Sequence, residues 1–105
     1  MKPIQIIHPI SGPNMLDNID NISSIAEKLT KEGYMVISPM HAYIYLDDDV
    51  PEEREYALQC CEKLLEMVHN AGGEAWVYGD WQNSEGCKRE LEKCRELVMK
   101  VVFKE

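Results

Sequence analysis

Seven consecutive residues, Ser84-Glu85-Gly86-Cys87-Lys88-Arg89-Glu90, put a hydroxyl, a glycine and two carboxylates at the junction of an expected strand and an expected helix. The first N–H groups of a helix have no intrahelical acceptor and carry the positive end of its dipole, so such a turn favours an anion. Ser84 adds a hydroxyl to those donors, and Gly86 leaves the backbone open to close approach. Glu90 lies four residues beyond Gly86, on the same side of a helix, and leans back over the same turn. A second loop offers similar groups, with His8, Pro9, Ser11 and Gly12 following the first apolar run. Asp80 and Trp81 precede Ser84 and add a carboxylate and an aromatic surface able to stack on a base or pack on a partner subunit.

The elements that must position these groups alternate between strand and helix. Residues 4–7 are largely β-branched and end at Pro9, Gly12 and Pro13, which reads as a strand and a loop. From about Asn14 to Glu32 the residues Leu16, Ile19, Ile22, Ile25, Ala26 and Leu29 recur at three- and four-residue steps, and Gly33 suits a C-cap. Residues 34–38 form a second strand stopped by Pro39, and 40–50 read as a loop with the run Asp47-Asp48-Asp49. Pro51 opens a helix that carries Tyr56, Ala57, Cys60, Leu64, Leu65 and Val68 to about Asn70, where Gly72-Gly73 breaks it. Residues 74–78 are the third strand, about 84–97 the third helix and 98–103 a short closing strand.

Right-handed crossovers then give one α/β domain over residues 1–105. The expected form is three-layered and Rossmann- or flavodoxin-like, with a four-stranded, mostly parallel sheet of order 2-1-3-4 and three helices. In that order the switch point lies between the first and third strands, so loops 8–14 and 79–86 face each other across a crevice.

Composition narrows the partners. Eleven basic against nineteen acidic residues give a net charge of −8, which repels nucleic acid and anionic membrane surfaces. No run approaches the roughly 20 apolar residues of a membrane span and no secretory signal is present, so a cytoplasmic protein is expected. Cys60, Cys61, Cys87 and Cys94 lack CxxC spacing and read as reduced thiols. Cys87, in a first helical turn, is either an activated thiolate or a small packing residue. No metal or cofactor is expected: GxxxxGK[ST] and GxGxxG are absent, and Asp47 to Asp49 lack the spaced oxygen ligands of a calcium loop.

Taken together, Pro9-Ile10-Ser11-Gly12, the segment Glu32-Gly33-Tyr34-Met35-Val36-Ile37-Ser38-Pro39, and Tyr78-Gly79-Asp80-Trp81 leading into Ser84-x-Gly86-x-x-x-Glu90 resemble the nucleoside 2-deoxyribosyltransferase-like superfamily. The resemblance covers nearly the whole chain and is closest to the small phage and prophage branch, whose members mostly lack an assigned function. It implies an N-glycosidase or glycosyltransferase acting on a nucleoside or nucleotide, with Glu90 as nucleophile on the sugar. It also implies Ser84 beside a 5′-phosphate, further donors from Ser11 and Gly12, and a homo-oligomer. Such chemistry passes through an oxocarbenium-like state that a carboxylate stabilises while a proton donor assists the departing base.

The sequence departs from that pattern at three places. Gln5 stands where a tyrosine is usual, His8 replaces a glycine, and the second acid falls near Cys60 or Cys61 with Glu62 the nearest carboxylate. Asp80 or His8 is the candidate substitute for it. The alternative reading is a catalytically weak nucleotide-binding protein, for instance a phage protein that sequesters or degrades a host nucleotide signal. Glu90 is also open to a plainer reading, as one more solvated charge among Glu85, Lys88, Arg89, Glu92, Lys93 and Arg95.

Overall fold

The computed structural model describes residues 1–104. Strands β1 (Pro3–Ile7), β2 (Met35–Ile37), β3 (Glu74–Val77) and β4 (Val101–Phe103) form one sheet of order β2-β1-β3-β4, with all three pairings parallel. The helices are α1 (Met15–Lys31), α2 (Pro39–Tyr43), α3 (Pro51–Asn70) and α4 (Glu85–Leu97). The expected strand order and the three long helices are present. Helix α2 is the addition: a short helix opening on Pro39 replaces part of the expected 40–50 loop, because Pro at a first helical position pre-sets φ without losing a needed N–H.

Strand alternation divides the sheet between two cores. Ile4 and Ile6 of β1, with Trp76 of β3 and Tyr78, face Ile25, Ala26 and Leu29 of α1. Ile7, Ala75 and Val77 face the opposite side, where Leu65 and Val68 of α3 and Cys87 and Cys94 of α4 cover them. Helix α1 therefore forms one layer, the sheet the second, and α3 with α4 the third. Not every apolar position of the helical repeats is used. Leu16 is 75 % exposed and Tyr56 58 % exposed.

Two close approaches fix the chain at the sheet's ends. A Cβ on Gly73 would collide with the Pro3 carbonyl oxygen and lie 2.6 Å from Val68 Cγ1, so glycine is needed where the turn after α3 passes β1. Gly79 turns with φ +74°, and a Cβ there would come within 3.2 Å of Pro9 Cδ and 3.3 Å of His8 Nε2. That second turn sits at the C-terminal edge of the sheet and brings the end of β3 against the loop after β1. It puts the two expected loops side by side.

Helices α3 and α4 are tied by Arg89, whose guanidinium grips Glu55 in a fork at 2.7 and 2.8 Å and Glu62 at 2.8 and 3.1 Å. This pairing holds the Glu55 carboxyl down at about 2. At the opposite edge of the sheet the buried Glu74 takes hydrogen bonds from Lys2 and from Trp76 Nε1 at 3.0 Å, with Lys100 3.6 Å away. Those partners hold its carboxyl at about 2, the Lys2 bond being the largest cause.

Candidate active site

The crevice at the switch point is a cleft of about 950 Å³. Its walls are the loop after β1, the first turns of α1, helix α2 with the segment to Asp49, one side of α3, and the turn into α4. His8, Pro9, Ser11 and Gly12 line it from the first loop; Asp80, Ser84, Gly86 and Glu90 line it from the last. Eight of the nine residues singled out in the sequence therefore meet in one place.

Trp81 does not. It begins a single 3-10 turn, Trp81–Asn83, that carries its ring away from the cleft and onto Phe103 of β4, 5.3 Å between ring centres. There it packs half-buried against the core beneath α4. Stacking on a ligand in the cleft is thus excluded for this residue. The other sequence candidate, Glu62, is also elsewhere, held by Arg89, while its neighbour Cys61 lines the cleft.

Glu90 is the chemical centre of the arrangement. It is 8 % exposed and its Oε2 is buried without a hydrogen-bond partner, so it is not one more solvated charge on α4. Beside it Gln5 is 0 % exposed, donates Nε2–H to the Cys61 carbonyl at 3.2 Å, and leaves its own Oε1 unpartnered. Removing a carboxylate from water favours its neutral form. Burial accordingly pushes the Glu90 carboxyl up to about 8, against an opposing hydrogen bond from Gln5 and with added repulsion from Glu62. The buried Glu90 therefore keeps its proton well above the usual carboxylate range.

Both serines of the cleft make a hydrogen bond, one as acceptor and one as donor. Ser84 caps α4, its Oγ accepting from Cys87 N–H at 3.2 Å. Ser11 donates to Asp48 of the acidic segment, and Arg54 stands 3.7 Å from the same carboxylate. A Cβ at Gly86 would meet Leu58 Cδ2 at 3.5 Å and Ser84 Oγ at 3.9 Å, ordinary van der Waals contacts. The acidic run Asp47-Asp48-Asp49 lies in an exposed loop, as the sequence suggests, and this loop also forms one wall of the cleft. With Asp47, Asp48, Asp49, Glu53, Asp80 and Glu85 around the mouth and Arg54 the one basic side chain lining it, the cleft repels a phosphate. The helix N-terminus alone does not outweigh this ring of charge.

His8 is fully satisfied. Its Nδ1 lies 2.7 Å from the Pro9 carbonyl oxygen, which can only accept, so Nδ1 carries the proton. Its Nε2 then accepts from Asn21 Nδ2 at 2.9 Å, which makes the ring a fixed element of the wall. Asn21 escaped the sequence reading, yet Asn14, Asn18 and Asn21 repeat at four- and three-residue steps along one face of α1. Asn18 holds the Ile10 carbonyl at 3.3 Å, so this polar stripe fastens the loop after β1. Arg54 and Glu53 were also missed, because only the fold of the 40–50 segment brings the start of α3 to the cleft.

Cys87 settles as a packing residue. It is 2 % exposed, and burial pushes its thiol up to about 12 despite the Ser84 bond and its place in a first helical turn. Cys60, Cys61 and Cys94 are also unpaired thiols. Among the described residues no group of His, Cys, Asp and Glu is arranged to hold a metal ion, and no helix is long and apolar enough to cross a membrane.

Comparison with curated proteins and with solved structures finds no match. A family model does match, across residues 2–104 and hence every element that builds the cleft, and the chain belongs to that family, described as Domain of unknown function (DUF7768).

Proposed function

We propose that the cleft binds a nucleoside-type ligand and that Glu90 is the carboxyl that meets its anomeric carbon as the N-glycosidic bond breaks. The observation that carries this reading is the buried Glu90 carboxyl on the cleft floor with one oxygen unpartnered. A group so costly to bury is retained most readily where chemistry uses it. The resemblance of Ser84-x-Gly86-x-x-x-Glu90 and its flanking segments to the deoxyribosyltransferase-like superfamily points the same way. A 5′-phosphate is left out of the proposal because the rim is acidic and the Ser11 hydroxyl is given to Asp48.

In this reading the ionised form of Glu90 is the reactive one. The carboxylate adds to or stabilises the anomeric carbon, the bonding electron pair leaves with the base, and water or a second base takes the sugar. Turnover should then rise with pH and level off above about 8.

The test is incubation with a panel of nucleosides and nucleoside monophosphates, read by chromatography for free base, on the wild type and on Glu90→Gln. Release that Glu90→Gln lowers by several orders of magnitude supports the assignment. Release at a similar rate from both proteins overturns it. Binding without release by the wild type favours the sequestering alternative.

A further inference from the structure

The reaction proposed above normally needs a proton donor for the departing base, and the cleft has no histidine free to be one. Both ring nitrogens of His8 are committed, Nδ1–H to Pro9 and Nε2 to Asn21. Glu62, the acid nearest the expected position, is fixed outside the cleft by Arg89. Asp80 is exposed at the rim and accepts a hydrogen bond from Asn83 at 2.7 Å. A base that already bears a positive charge needs no such donor, since it leaves as a neutral molecule.

The charge around the cleft fits the same ligand. Six carboxylates ring the mouth against one guanidinium, and that guanidinium lies beside Asp48. Beneath them Glu90, more than nine-tenths buried, lines the cleft and has one carboxyl oxygen without a hydrogen-bond partner. The rim attracts a cation, and the floor supplies the group that stabilises the sugar as the charge moves onto it.

We propose that the substrate class of this cleft is the cationic N-glycoside, a ribosyl or deoxyribosyl group on a quaternised, positively charged nitrogen base. This rests on the N-glycosidic reading given above. The C1′–N bond breaks with its electron pair passing to the ring nitrogen, which becomes neutral. The anomeric carbon bonds to a Glu90 oxygen, and water then replaces that ester, releasing the free sugar and one proton and restoring the carboxylate.

The probes are nicotinamide riboside, a pyridinium cation; its 1,4-dihydro form, of nearly the same shape but neutral; nicotinamide mononucleotide, which adds a phosphate; and guanosine. Binding is measured by calorimetry on Glu90→Gln, so that turnover does not interfere, and base release by chromatography on the wild type. The cation should bind about tenfold or more tightly than the dihydro form, and more tightly than the mononucleotide. That preference should shrink severalfold in 0.5 M salt and in Asp49→Asn/Glu85→Gln, which neutralises two exposed rim carboxylates. The wild type should release nicotinamide from the riboside. Equal binding of the cation and its dihydro form, or base release from guanosine alone, overturns the charge preference and leaves the N-glycosidic reading standing. No release from any probe overturns that reading, and the inference with it.

Discussion

Replacing Glu90 by glutamine should change how stability depends on pH, in a direction opposite to that of an ordinary salt-bridged carboxylate. In the folded protein the Glu90 carboxyl titrates near 8, against about 4.5 when exposed. Between those values the folded state holds a proton that the unfolded state has released, so stability falls as pH rises through the window. The contribution is fully present below about 4.5 and gone above about 8. A shift of about 3.5 units at about 1.36 kcal/mol per unit sets a ceiling of about 5 kcal/mol, and water entry or relaxation around Oε2 brings the expected loss to about 2–4 kcal/mol. That is a large part of the 5–15 kcal/mol typical of a small domain. Glutamine has nearly the same shape and does not titrate. Urea unfolding of both proteins at pH 5, 6, 7, 8 and 9 isolates the effect, because every other group is common to the two. The difference in stability between variant and wild type should grow by about 2–4 kcal/mol from pH 5 to pH 9, with Glu90→Gln the more stable at the alkaline end. Parallel curves would refute the argument that Glu90 is buried as a neutral acid.

Three further outcomes follow from the packing. Gly73→Ala should destabilise the fold by about 2 kcal/mol or more, since the added methyl meets the Pro3 backbone and not a movable side chain; an unchanged urea midpoint would contradict the close approach. Glu74→Gln should cost about 1–2 kcal/mol at pH 7, a loss that shrinks as pH falls from about 4.5 toward 2, because the wild-type carboxylate is stabilised by Lys2, Trp76 and Lys100 only while ionised. Cys87 and Cys94 should react with a thiol reagent at pH 8 far more slowly than the half-buried Cys60, and as slowly as global unfolding permits; rapid modification of Cys87 would restore the activated-thiolate reading.

Much of this molecule is legible in its residues, because the signals are local. The three- and four-residue apolar steps of α1 and α3, the prolines that open helices and the glycines that close them act within a few residues of where they stand. The alternation of strands and helices makes neighbouring strands parallel, and in the order β2-β1-β3-β4 the loops after β1 and β3 meet at one crevice. What the crevice can do was decided only by tertiary contacts. Ser84 serves as a helix cap and Ser11 as a partner of Asp48, because those acceptors and donors arrive from residues that the chain folds back to meet them. Trp81 turned to Phe103, 22 positions later, since β4 offered it an apolar surface on the side away from the cleft. An Asp-rich segment with no local structure signal became a wall of the cleft once α2 and α3 framed it. The protonated state of Glu90 depends on how completely β1, α3 and α4 exclude water around it, a property of three packed elements that no stretch of sequence carries alone.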